Sequence, residues 1–320
     1  MGYGIGGFLG ICKQNSFGTA LTASYEYVPI ISESLTTNIE ELVSENIQAR
    51  FEEGDSYTGR LSVAGDIVFE PHPTVMGHFL RGCMGPGSSS LVGSVYTHTF
   101  VPTQADFDAD KCALPPYTFS VYRNNGQAWQ FSDAQINNLS VEVAAGAIVR
   151  CTASVIARVS STVAAPTASF QTGKSYLWSQ GSYSLAGAAN TDLENITFSV
   201  ENNVEAVSLI DGTNAASKFK RTTYRNFGVS GTLDFSVQSE YMKFRASSEQ
   251  AAVLTLTGET ITTSQSNIFK IDVPNMRYTS FPTGMTGPGR ISASFEGKGK
   301  YNVSSGTAIR VTLVNTKAAY

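Results

Sequence analysis

Residues 60–69 read RLSVAGDIVF, and residues 226–235 read NFGVSGTLDF. Val63, Gly65, Ile67 and Phe69 fall in line with Val229, Gly231, Leu233 and Phe235. Each stretch alternates apolar and polar residues with period two, the pattern of a half-buried strand. Each runs straight into a break in that period. After Glu70, Pro73 can start a helix, Val75, Met76, Phe79 and Leu80 supply one apolar face, and Gly85 can end it. After Phe235 the break spans Ser239 to Ser248, with Tyr241, Met242 and Phe244 as its apolar side. A strand that leads into a short helix, found twice, points to an internal duplication.

The match extends outward. YTFSVYRN at 117–124 pairs with IFKIDVPN at 268–275, and GAIVRCTAS at 146–154 with PGRISASFE at 288–296. Alternation recurs at Leu139, Val141 and Val143, at Ile196, Phe198 and Val200, and at Ile309, Val311 and Leu313. The expected organisation is mainly β, with two copies of one domain, each with a short helix. The bounds are a flexible N-terminal arm at 1–18, domain 1 at 19–160, a linker at 161–174 and domain 2 at 175–320. Each copy holds about 140 residues, enough for its own core.

The chain has 320 residues, of which 15% are charged and 42% apolar. That is too apolar for disorder and leaves few charges to keep a surface solitary. The net charge of −4 argues against binding nucleic acid through a basic face. The charge is lopsided: residues 1–160 hold 8 Lys/Arg and 15 Asp/Glu, whereas residues 161–320 hold 14 and 11. No apolar run is long enough for a spanning helix, and the first residues lack the pattern of a secretory signal. The expectation is a chain folded in the cytosol, with Cys12, Cys83, Cys112 and Cys151 as reduced thiols.

No catalytic constellation is legible. Gly2, Gly4 and Gly7 spell GxGxxG without the strand that a dinucleotide site needs before it. His72, His78 and His98 lack metal-ligand spacing, and Asp106, Asp108 and Asp110 lack the Gly and Glu of a calcium loop. Neither catalytic residues, metal ligands nor cofactor are expected. An outer-membrane β-barrel would suit the alternation but not the helices or the four cysteines. A β-sandwich adhesin or binding module, on a virion or a cell surface, is the other alternative. It calls for clustered aromatics, and Trp129 and Trp178 form no visible cluster.

The chain resembles the tail tube proteins of long-tailed bacteriophages. The likeness rests on Ser44–Arg50, the strand Gly59–Glu70 and the helix Pro73–Gly85, with support from Val28–Leu35 and Tyr96–Val101. It covers roughly residues 20–315. The resemblance implies two packed β-sheets with a flanking helix, a tail-tube-type β-sandwich or barrel domain, here in tandem. It also implies a structural virion protein, assembled in the host cytoplasm. Two-domain members are similar to trimers that imitate a six-domain ring, stacked into a tube through which genomic DNA passes without specific binding. The implied partners are copies of the chain, a tape-measure protein and tail-terminator or tip proteins, with no membrane.

On that reading the channel face is polar and neutral or acidic, because lysine and arginine would hold DNA. The candidates are Asp66, Glu70, Ser140, Glu142, Asp234, Ser236, Ser294 and Glu296. Two loops of opposite charge are expected to meet across subunits or stacked rings. One is Thr36–Tyr57, with Glu40, Glu41, Glu45, Phe51, Glu52, Glu53 and Asp55. The other is Asp211–Arg225, with Lys218, Lys220, Arg221 and Arg225. The first loop reads as an extended arm, which the resemblance implies is used between rings. Its alternative is an amphipathic helix through Ile39, Leu42, Val43, Ile47 and Phe51. The Lys317–Tyr320 end is expected to be ordered only by neighbours.

Overall fold

The computed structural model describes residues 3–21, 24–236, 238–284 and 289–320. The N-terminal half contains β1 (Phe8–Lys13), β2 (Glu26–Val28), β3 (Ile30–Glu33), β4 (Thr36–Val43), β5 (Ser56–Phe69), α1 (Met76–Met84), β6 (Ser88–Val92), β7 (Val95–Phe100), β8 (Tyr117–Tyr122), β9 (Gln127–Ala144), β10 (Arg150–Ala157) and β11 (Val159–Ala164). The C-terminal half contains β12 (Gly181–Leu185), β13 (Ala188–Ala189), β14 (Leu193–Glu201), β15 (Val204–Val207), β16 (Lys218–Arg221), β17 (Asn226–Asp234), α2 (Ser239–Arg245), β18 (Gln250–Thr262), β19 (Gln265–Ser280), β20 (Ser292–Gly299) and β21 (Arg310–Asn315). The expectation of a mainly β chain with two short helices holds. Among the described residues no helix is long and apolar enough to cross a membrane.

The two halves repeat one pattern of strand pairing. In the first, β1 pairs β8, β8 pairs β9, β9 pairs β10 and β11, and β10 pairs β5, which carries β4. In the second, β12 pairs β18, β18 pairs β19, β19 pairs β20 and β21, and β20 pairs β17, which carries β14. The halves are not separate bodies. The end of β9 pairs β14, β7 pairs β21, and one large sheet results. A single core cluster holds Phe69, Phe79, Phe119 and Val141 together with Phe198, Phe269, Phe295 and Leu313.

The equivalence of Gly65 and Gly231 has a physical cause. Gly65 lies opposite Val155 and Gly231 opposite Phe295. A Cβ on Gly65 would sit 2.5 Å from the Ser34 carbonyl oxygen, and one on Gly231 would strike that of Asn195. At Gly231 the neighbouring β14 bulges, and at Gly65 the chain passes from β3 to β4; in both places a backbone presses on a residue that must carry no side chain.

Pairing also corrects the outer part of the repeat. β8 is the counterpart of β18, the first strand of the matching hairpin, so 117–124 does not correspond to 268–275. Ala153 pairs Ile67 as Ala293 pairs Leu233, which shifts the 146–154 match by two residues. Period two survives such a shift, so alternation alone could not detect it.

The structure decides several local expectations. Within 1–18, Phe8–Lys13 is a strand, with Leu9 and Ile11 buried between β2 and β8; Gly2 lies outside the described residues. Thr36–Tyr57 is a β-hairpin arm and not a helix, because β4 pairs β5 through Val43↔Ser56. In the 161–174 linker, residues up to Ala164 belong to β11. Of the α2 face, Tyr241 and Phe244 pack near Phe281, while Met242 is exposed.

The Lys317–Tyr320 end is ordered by its own chain. The Tyr320 hydroxyl accepts from Asn315 Nδ2 at 2.8 Å, and its ring meets those of His78 and His98 edge-on at 5.2 and 4.9 Å. His98 Nε2 lies 2.8 Å from the Lys317 carbonyl oxygen. Lys317 Nζ donates to Glu26 Oε1, which is also 3.2 Å from His78 Nε2. Burial would raise the Glu26 carboxyl, but hydrogen bonds and charge from His78 and Lys317 outweigh it and hold the group at about 2.

Gly65→Ala and Gly231→Ala should each cost about 1–3 kcal/mol, because the neighbouring backbone must retreat. Urea unfolding of each variant checks this, and a neutral result at either site removes the close-approach account. The depressed Glu26 carboxyl stabilises the fold above its ordinary value of 4.5, and that contribution is lost as pH falls toward 2. Urea midpoints measured down this range should fall more steeply for the parent than for Glu26→Gln; parallel profiles would contradict it.

Candidate channel face and assembly surfaces

Strands β5, β10, β9, β14, β17 and β20 lie side by side across both halves. Their alternation sorts side chains onto two faces. One row in register runs Phe69, Cys151, Val141, Phe198 and Val229, all buried. The intervening rows are polar. One runs Asp66, Ser154, Asn138, Glu201 and Asn226; the next runs Thr152, Ser140, Ser199, Gly228 and Lys298. A third runs Arg150, Glu142, Thr197, Ser230 and Glu296. The result is a hydroxyl-rich face with more carboxylates than cations.

Six of the eight candidate channel residues sit on this face: Asp66, Ser140, Glu142, Asp234, Ser294 and Glu296. Glu70 and Ser236 follow the ends of β5 and β17, beyond the paired residues. Asp234 is held by Arg290, whose Nη2 lies 3.2 Å from it and 2.8 Å from Glu194. Thr152, Thr197, Ser199 and Ser230 share the face and were not singled out from sequence. Their signal was present in the same alternation, one strand over.

The expected assembly residues divide. Glu41, Glu45, Phe51, Glu52, Glu53 and Asp55 lie exposed on the β4–β5 hairpin, and Glu40 lies 3.6 Å from Arg60 at its base. Ile47 and Phe51 are fully exposed. On the other loop, Lys220 and Arg221 are engaged within the chain. Arg221 Nη1 donates to Asp106 Oδ1 at 2.5 Å, and Lys220 Nζ is 3.6 Å from Asp106 Oδ2. Lys218 lies beside them in β16, which pairs β15. Arg225 donates to the Thr103 carbonyl oxygen. Burial, and then the charge of Arg221, lowers its guanidinium to about 10.

Beyond Arg225 a groove of about 570 Å³ opens, lined by Phe227, Lys298, Lys300 and Tyr301 and by no carboxylate. Lys298 and Lys300 lie far from the 211–225 loop in sequence, and the charge of that loop carries no sign of them. The histidines are spoken for by the fold: His72 with Thr74, His78 beside Glu26, and His98 with Ser89.

The sequence matches the family described as Phage tail tube protein over residues 4–299. The chain belongs to the phage tail tube protein family. No curated protein matches it. It is therefore a structural, non-enzymatic component of a phage tail, and membership implies self-assembly into a tube. The sheet just described is the framework on which this tube protein presents its polar face, its hairpin arm and its groove.

Proposed function

We propose that this tube protein carries two tandem tube domains, near 19–160 and 175–320, and that three chains close a pseudo-hexameric ring. Rings stack into the tail tube, and the polar sheet face lines the channel. One observation carries the reading. β14 lies between β17 and β9, whereas its counterpart β4 pairs β5 on one edge only among the described residues. An exposed strand edge invites another strand. The counterpart of β9 is β19, and beyond its last β18 pair at Met276 it has only β20 beside it among the described residues.

If β19 of one chain covers β4 of the next, each joint within a chain is repeated between chains. Three chains then give six like joints, and a closing rotation makes a ring rather than a filament. The channel follows from the faces. Asp66, Glu142, Glu201 and Glu296 repel phosphate and outnumber the cations Arg150 and Lys298 at the margins of the same rows, while Ser and Thr fill the middle and release no counterions. Genomic DNA can then pass without being held. A tape-measure protein inside the channel and terminator or tip proteins at the tube ends are the partners this reading calls for.

Native mass spectrometry and negative-stain microscopy of the purified protein test it together. The expected particle has the mass of three chains, six lobes and a central hole, and it stacks into tubes. Rings of six chains, or particles without a hole, would overturn the two-domain ring.

A further inference from the structure

The seam inside the chain contains a second contact besides the strand ladder. The segment between β14 and β17, which includes the β15–β16 hairpin, crosses onto the N-terminal half. There the Leu61 backbone N–H donates to the Asn214 carbonyl oxygen at 2.8 Å, and Arg158 Nε donates to that of Ala216 at 3.0 Å. Ile156 packs against the small core of Val204, Ala216 and Phe219. The corresponding segment of the N-terminal half, between β4 and β5, is the acidic arm, and among the described residues it makes no such contact within the chain.

Strand register identifies where its platform lies. Val63 pairs Ala157 as Val229 pairs Gly297. Phe227 therefore stands where Leu61 stands, and Lys298 where Arg158 stands. Both line the basic groove. The counterpart of that platform is thus present and open on the C-terminal half.

Resting on the three-chain ring proposed above, we infer that the β4–β5 arm of one chain docks sideways, within the same ring, into the Arg225–Lys298–Lys300 groove of its neighbour. The occupant is a second copy of this chain. Charge supports the match: residues 40–55 carry six carboxylates and one arginine, and the groove lining carries cations alone. Apolar surface supports it too, since exposed Ile47 and Phe51 need cover, and Phe227 and Tyr301 offer it. The joint within the chain has the opposite polarity, with Lys220 and Arg221 of the C-terminal half on Asp106 of the N-terminal half. Around the ring the two kinds of joint alternate.

A double variant, Phe51→Cys with Tyr301→Cys, tests the geometry. Both positions are exposed, and the four native cysteines are buried. Assembled protein is oxidised with copper phenanthroline, run on a denaturing gel without reductant, and imaged in parallel. Docking within a ring closes the covalent chain, so the largest species is three chains. A ladder beyond three chains would place the arm between rings and overturn the inference. So would an absence of cross-linked species in samples whose micrographs show rings. Absence of any rings from the parent protein would instead remove the ring reading itself. A charge exchange gives a second readout. Lys298→Glu with Lys300→Glu, and separately Glu52→Lys with Glu53→Lys, should each raise the concentration needed for assembly at least tenfold. Combining all four should restore it, and failure of the combination to improve on either pair would contradict the contact.

Discussion

The ladder between Asn138–Ala144 of β9 and Asn195–Glu201 of β14 holds the molecule together as one object. Each half repeats the same pairings, and without this seam each would present raw strand edges to solvent. With it, six strands form a continuous sheet whose inner rows bury Phe69, Val141 and Phe198 and whose outer rows stay polar. The seam also explains why a division into two domains is invisible in the core. Side chains from both halves pack into one cluster, and Tyr320 closes it by docking against the helix of the first half.

The same seam gives the charge distribution a meaning. An acidic first half and a basic second half are ambiguous as composition. In the structure, part of the basic charge is consumed within the chain, where Asp106 meets Lys220 and Arg221. What remains exposed is an acidic arm on the first half and, on the second, a basic groove at the place equivalent to the Leu61–Arg158 platform. Opposite charges that make no contact with each other among the described residues of one copy favour association with the next and penalise wrong register.

Much of this was legible beforehand because alternation is a local signal. Val63, Gly65, Ile67 and Phe69 and their counterparts located the repeat, and the same period placed Asp66, Glu142 and Glu296 on one face. Gly65 and Gly231 aligned for a reason that only the folded chain displays, a backbone pressed against each Cα. Other features depend on distant partners and leave no local trace. Lys317 and Tyr320 are ordered by Glu26 and His78, nearly the whole chain away. The pairing of Lys220 and Arg221 within the chain could not be told from pairing between chains by sign alone. Matching 117–124 to β19 instead of β18 failed because both are alternating strands of one hairpin.

Hydrogen exchange on the amides of β4, compared between dispersed chains and assembled tubes, reaches the central claim most directly. If a neighbour's strand covers the open edge as β9 covers β14, exchange across Thr36–Val43 slows strongly on assembly, while β14, already covered, changes little. Unchanged exchange across β4 in intact tubes would show that the joint within the chain is not repeated between chains.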